Sequence, residues 1–125
     1  MLKEANVQPM LPVKDLGAAE RFYEQTLALK KVGGMAGAAA VYESGGGRLC
    51  VYRSAFAGTN KGTAALWEVQ NVEATAKELK ARGVTFEHYD MPGLTRTGDI
   101  YRGDRMAVAW FKDPDGNILS IQSQT

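Results

Sequence analysis

The sequence predicts an α+β fold: two βαβββ modules that together shape a cup-like mixed sheet with helices outside it. Three observations carry this expectation. Apolar residues pass from strand-like runs to three- and four-residue steps and back, twice along the chain. Two helix-capping residues, Asp15 and Asn71, lie 56 positions apart, and Gln8 and Ala64 each stand seven positions before one of them. The segments Leu49-Cys50-Val51 and Leu119-Ser120-Ile121 match as the closing strands of the two halves. The repeat sets modules of about 5–54 and 63–123 within one domain of 125 residues.

In the first half, Val7 to Val13 reads as a strand, and Pro9 and Pro12 favour an edge position for it because proline cannot donate to a ladder. Asp15 caps a helix whose apolar residues are Leu16, Ala19, Phe22, Tyr23 and Leu27, ending near Ala28. The glycine- and alanine-rich stretch from Val32 to Ala40 reads as a flexible turn region leading into a strand at Ala40 to Glu43. Gly45-Gly46-Gly47 forms a hairpin turn, since glycine reaches positive φ without a steric cost. The strand around Leu49 to Tyr52 follows, then a linker from Ala55 to Gly62.

The second half repeats the plan. Thr63 to Val69 is a strand, and Asn71 caps a helix with Val72, Ala76 and Leu79 on its apolar face. Gly83 supplies the left-handed residue that ends it. Strands follow at Val84 to Tyr89, at Arg105 to Phe111 and at Ile118 to Gln122. The last two flank a tight Asp113-Pro114-Asp115-Gly116-Asn117 turn. Met91 to Gly103, thirteen residues without periodicity, looks like a loop that covers a site.

Composition narrows the function classes. With 45% hydrophobic residues the chain can bury a core without staples. A net charge of +1 with interspersed signs gives no footprint for nucleic acid, and Lys30-Lys31 is too short for a polybasic membrane patch. The one cysteine, Cys50, excludes an intramolecular disulfide and a zinc site of paired cysteines. Met1 to Gln8 lacks the apolar core of a signal peptide and no run approaches a membrane span, so a cytoplasmic protein is expected.

Three segments carry a resemblance: LPVKDLGAAERFYEQTLALKKV (11–32), ALWEVQNVEATAKELKARGVTF (65–86) and AWFKDPDGNILSIQ (109–122). In these the chain resembles the vicinal oxygen chelate superfamily of glyoxalase I, extradiol dioxygenases, fosfomycin-resistance enzymes and bleomycin-resistance proteins. The stretch Phe86 to Leu94 is similar to small bacterial glyoxalase-like proteins. Relatives usually end the first helix in glycine, where this chain has Ala28. The resemblance implies a homodimer, and it places the metal ligands of metal-dependent relatives at Gln8, Cys50, Ala64 and Ser120. Ala64 has no donor, neutral Ser120 is a poor ligand, and Gln8 with Cys50 is too weak a pair for a divalent ion. No metal and no cofactor are therefore expected.

Alternation assigns the faces. Gln8, Met10 and Pro12, Arg48, Cys50 and Tyr52, Ala64, Leu66 and Glu68, and Ile118, Ser120 and Gln122 should line the cup, with Trp67 on the helix side. Met106 and Trp110 share a face, which either the cup or the core could claim because Phe111 competes as the core aromatic. A wall of apolar groups with a few polar ones suits a small organic ligand, and Tyr52 and Trp110 could stack on a planar or cationic one. His88 and Tyr101 border the site from the long loop and the strand before it. The expected function is metal-independent binding, possible sequestration, of an aromatic or cationic compound. The alternative is a lyase, isomerase or dioxygenase-type enzyme acting on a small metabolite, with Tyr52, Glu68, His88 or Asp90 as its acid or base.

Overall fold

Both predicted helix caps form. In the computed structural model, which describes residues 1–124, the Ala18 amide donates to Asp15 Oδ1 and the Ala74 amide to Asn71 Oδ1, each at 3.0 Å. The helices that follow are α1 (Leu16–Arg21) and α2 (Val72–Ala81). Helix α1 widens into a π-helical turn at Phe22–Thr26, where the Leu27 amide reaches back to the Phe22 carbonyl. Ala28 then takes a left-handed φ of 60°. The helix terminus is thus rearranged, and Ala28 still adopts the conformation that glycine takes most readily. Gly83 ends α2 with φ 96°, as expected.

The strands fall into two mixed sheets. The first contains β1 (Met10–Val13), β2 (Lys30–Met35), β3 (Ala39–Ser44) and β4 (Gly47–Arg53) in the order β1-β4-β3-β2. The second contains β5 (Thr63–Glu68), β6 (Phe86–Glu87), β7 (Thr95–Thr97), β8 (Ile100–Gly103), β9 (Met106–Lys112) and β10 (Ile118–Gln124). Its order is β5-β10-β9-β8-β7, with β6 also paired to β9. In each module the first strand runs parallel to the last, as a βαβββ unit requires. The register confirms the repeat. Met10 faces Cys50 in one module and Leu66 faces Ser120 in the other, and Met10 and Leu66 are themselves 56 residues apart.

Two segments differ from the sequence expectation. The stretch assigned to a flexible turn is mostly β2, an exposed edge strand, with the turn confined to 36–38. Its glycines hid the alternation on which a strand assignment depends. In the stretch expected to be a loop, Met91 to Gly103, residues 95–103 fold as the β7–β8 hairpin. Short strands with exposed polar side chains leave little periodicity to read.

The main core lies on the helix side of both sheets and runs between modules. It joins Leu11, Val13, Tyr23 and Tyr42 to Val72, Phe86, Phe111, Leu119 and Ile121. Phe22 of the first module lies 6.5 Å, ring to ring, from Phe111 of the second. Trp67 is on this side, 6.5 Å from Phe111, and its indole N–H donates to Ser44 Oγ across the module boundary at 2.9 Å.

A buried polar hub fixes the same boundary. Asp113 is 4% exposed. Its Oδ2 accepts from the Tyr23 hydroxyl and from Asn117 Nδ2, both at 2.8 Å. Its Oδ1 accepts from the Asp115 and Asn117 amides. Asn117 Nδ2 also donates to the Pro12 carbonyl, and the Lys14 amide donates to Asp115 Oδ1. The Asp-Pro-Asp-Gly-Asn turn therefore clamps the end of β1 as well as joining β9 to β10.

Candidate functional site

Because the helix sides share one core, the opposite faces of the two sheets point away from it. The register sets out the first of these faces in rows. Lys30, Glu43 and Arg48 form one row, Gly33, Val41, Cys50 and Met10 the next, and Met35, Ala39, Tyr52 and Pro12 the third. Met10 is 52% exposed. The N-terminal segment before β1 lies beside the charged row. There the face deepens into a cleft of about 820 Å³ bordered by Asn6, Gln8, Glu43, Arg48 and the glycine turn.

That turn decides which side chains share the face. Sequence alone assigns all of Gly45-Gly46-Gly47 to the turn. In the structure Gly47 already pairs with Ser44, leaving a two-residue connection, and Glu43 stands directly opposite Arg48. A three-residue count shifts the register by one residue and hides Glu43. The preference of two-residue loops for glycine at positive φ, here Gly45 at 56°, was the signal that could have found it.

On the second sheet, Ser120 lies between Leu66 and Trp110, and Gln122 between Glu68 and Val108. Trp110 therefore belongs to the face away from the helices, while Phe111 holds the core. This resolves the ambiguity left by the sequence. Leu66 is 47% exposed, whereas Trp110 is buried by its own chain. The β7–β8 hairpin and the segment before it fold over the indole, packing Tyr89, Met91, Leu94, Tyr101 and Met106 against Val108, Trp110 and Ile118. The rings of Tyr101 and Tyr89 meet Trp110 edge to face, at 5.1 and 5.9 Å. The Tyr101 hydroxyl donates to the Tyr89 carbonyl at 2.8 Å. Tyr89 Oη is buried without a partner among the described residues, and burial raises its pKa.

The residues singled out from sequence thus fall into three places. Gln8, Met10, Cys50 and Tyr52 share the first open face. Leu66, Glu68 and Ser120 lie on the second, and Met106, Trp110 and Tyr101 lie on the same side of that sheet beneath or within the hairpin cover. His88 is not brought to either face. It follows Phe86, a core residue, and Glu87, which pairs with Trp110, so alternation turns it to the helix side. There its Nε2 meets Asp99 Oδ1 at 2.8 Å, and Asp99 Oδ2 pairs with Lys80 Nζ of α2 at 2.7 Å. Those two hydrogen bonds, from Lys80 first and His88 second, hold the Asp99 carboxyl below its ordinary pKa. Together with the Arg102–Glu73 pair they tie the hairpin to the body of the second module. Sequence reasoning missed Asp99 as a partner because its contacts, Lys80 on α2 and His88 after β6, come from two elements distant from each other in the chain.

Cys50 is 4% exposed and donates weakly to the Val51 carbonyl at 3.6 Å. Burial raises its pKa, which keeps the sulfur as a thiol rather than a nucleophilic thiolate. Among the described residues, no three His, Cys, Asp or Glu side chains come together as a ligand group. No helix among them is long and apolar enough to cross a membrane.

The architecture is that of a paired βαβββ protein, and the comparisons with known proteins agree. The family model described as Glyoxalase/Bleomycin resistance protein/Dioxygenase superfamily matches residues 7–121, so the chain belongs to that superfamily. Among solved structures it is similar to lactoylglutathione lyase from Agrobacterium tumefaciens, with 19% identity, 95% of this chain and 92% of that one covered, and a TM-score of 0.70. It is also similar to TnmS3, an antibiotic binding protein from Streptomyces sp. CB03234, at 22% identity, 96% and 95% coverage and a TM-score of 0.66. A third is the fosfomycin resistance protein FosX from Listeria monocytogenes, at 15% identity, 95% and 92% coverage and a TM-score of 0.70. At these identities the likeness is one of fold. No curated protein matches the chain in sequence.

Proposed function

We propose that this chain is a metal-independent binder of a small organic molecule, held between the open sheet faces of a homodimer. The observation that carries the reading is the pair of uncovered faces. Met10 and Leu66 occupy equivalent positions on the first strand of each module, both about half exposed, on sheets whose other faces share one core. A second copy that laid its second module against the first module of this chain would close a cup around these faces and bury both residues. The resulting wall would combine Met10, Val41, Cys50, Tyr52 and Leu66 with a few polar groups, the usual make-up of a ligand pocket.

The donor set at the superfamily's metal positions supports the metal-independent part. Ala64 offers no donor, Ser120 is 1% exposed as a neutral hydroxyl, and the Cys50 thiol is made harder to ionise by burial. A first-row divalent ion needs imidazole, carboxylate or thiolate donors in fixed number, and Gln8 alone does not fit one. The enzymatic alternative has less support. His88 is engaged with Asp99 on the helix side, and no hydrogen bond among the described residues joins any two of Tyr52, Glu68, His88 and Asp90 into an acid–base pair. The similarity to an antibiotic binding protein agrees with binding without turnover, though at the level of fold only.

The test is a thermal-shift screen of planar aromatic and cationic compounds, with and without chelator, followed by product analysis of each hit. A ligand-dependent rise in Tm that survives chelation, without consumption of the compound, is the expected result. Stoichiometric metal in the purified protein, lost on Gln8→Ala, would overturn metal independence, and turnover of the hit would overturn binding as the function.

A further inference from the structure

We infer that the cleft at the charged end of the first sheet receives a zwitterionic, amino-acid-like head group, with Glu43 taking its ammonium and Arg48 its carboxylate. This rests on the reading of the open faces as the ligand site and specifies the chemistry of one end of it.

Glu43 and Arg48 are direct cross-strand partners on β3 and β4, beside the glycine turn, and both border the cleft. Opposed side chains of opposite charge are well placed to pair across a ladder. Yet neither takes part in an ion pair or a side-chain hydrogen bond among the described residues, although seven ion pairs form elsewhere. At the cleft itself one carboxylate and one guanidinium are thus presented side by side on one wall, while Lys30, on the far side of Glu43 in the same row, does not border it. A ligand with a single charge would satisfy one of them and set the other against a like charge. A ligand carrying an ammonium and a carboxylate on one carbon answers both. Guanidinium suits the carboxylate because it can donate two parallel N–H bonds. The Gln8 and Asn6 amides border the same cleft and can accept from the ammonium or donate to the carboxylate.

The neighbouring row sets the rest of the ligand. Val41, Cys50 and Met10 come next along the same face. Same-face rows are about 7 Å apart along a strand, roughly the reach of a benzyl group from an α-carbon. Gly45 and Gly46 have open space where a side chain would project, so the turn leaves the approach clear. The head group therefore lies on the charged row and an apolar side chain on the next.

Four probes with one body separate the charges: L-phenylalanine, N-acetyl-L-phenylalanine, L-phenylalaninamide and N-acetyl-L-phenylalaninamide. Calorimetry on the full chain at about pH 6 keeps amine and carboxylate ionised. Phenylalanine should bind at least about tenfold more tightly than either singly charged probe, the size of one charge-assisted hydrogen bond. Arg48→Met should bring phenylalanine down to the affinity of phenylalaninamide. Glu43→Gln should bring it down to that of N-acetylphenylalanine. Neither change should alter binding of the neutral probe. Equal affinity for all four probes would overturn the head-group assignment while leaving the apolar faces as a binding site. So would a preference that survives both substitutions. Failure of all four probes to bind would also overturn it, and the compound screen would then decide the wider reading separately.

Discussion

At the scale of single residues, the strongest constraint is the carboxylate of Asp113. It accepts four hydrogen bonds in a buried position, two from side chains and two from backbone amides. Removing it leaves the Tyr23 hydroxyl and two turn amides without their acceptor. Asp113→Ala should therefore cost about 3 kcal/mol or more in urea unfolding, whereas Tyr23→Phe, which removes a single donor, should cost about 1 kcal/mol. The tyrosines also set the alkaline limit. Tyr23 is pushed far above its ordinary pKa, chiefly by burial and then by the Asp113 charge. Tyr42 is raised as well, by burial and by its bond to Glu24. In the unfolded chain both hydroxyls lose their protons near pH 10, and in the folded chain they keep them. Stability is thus fully present below about pH 10 and falls as pH rises beyond it, by up to about 1.4 kcal/mol per pH unit for each tyrosine. Denaturant midpoints measured from pH 8 to 11 should show this decline, and Tyr23→Phe should flatten it. The Asp-Pro-Asp-Gly-Asn turn was legible as a turn. Its role as a clamp was not, because Tyr23 is 90 residues away from Asp113 and no local pattern marks the pairing.

At the scale of elements, legibility followed periodicity. The two capped helices and the strands that alternate cleanly were readable, as was the 56-residue repeat. Elements built from glycine or from short polar runs, β2 and the β7–β8 hairpin, were not. Ala28 is an instructive middle case. The sequence flags it as an alanine where a left-handed residue is wanted, and the structure shows it at φ 60° after a π-helical turn. An L-residue with a side chain is held there at a cost of about 1 kcal/mol. Glycine removes that strain but adds entropy to the unfolded chain. Ala28→Gly should still raise stability by about 0.5 kcal/mol, seen as a rise in Tm with unchanged circular dichroism. A fall in Tm would mean that the surrounding turn, and not the residue's own conformation, sets the φ.

At the scale of the whole molecule, the face assignment could be read from the sequence for most strands, but the relation between the modules could not. Alternation states which side chains share a face; it does not state whether two faces look at each other or away. That depends on the aromatic core between modules, on pairs such as Phe22 with Phe111 and Trp67 with Ser44, which join segments far apart in the chain. Since the core occupies the helix sides, Met10 and Leu66 stay uncovered within one chain, and the proposed occupant of their faces is a second copy. Leu66 is the place to test it. Its side chain is about half exposed in one chain, so Leu66→Arg should leave the fold of the single chain intact, read as unchanged circular dichroism. In a dimer the same arginine would enter a closing interface as an unpaired charge, which costs several kcal/mol. Wild-type protein at about ten micromolar should sediment as a dimer and the variant as a monomer, with ligand binding lost alongside. A wild-type monomer, or a variant that remains dimeric with its binding intact, would show that the faces do not meet across two copies.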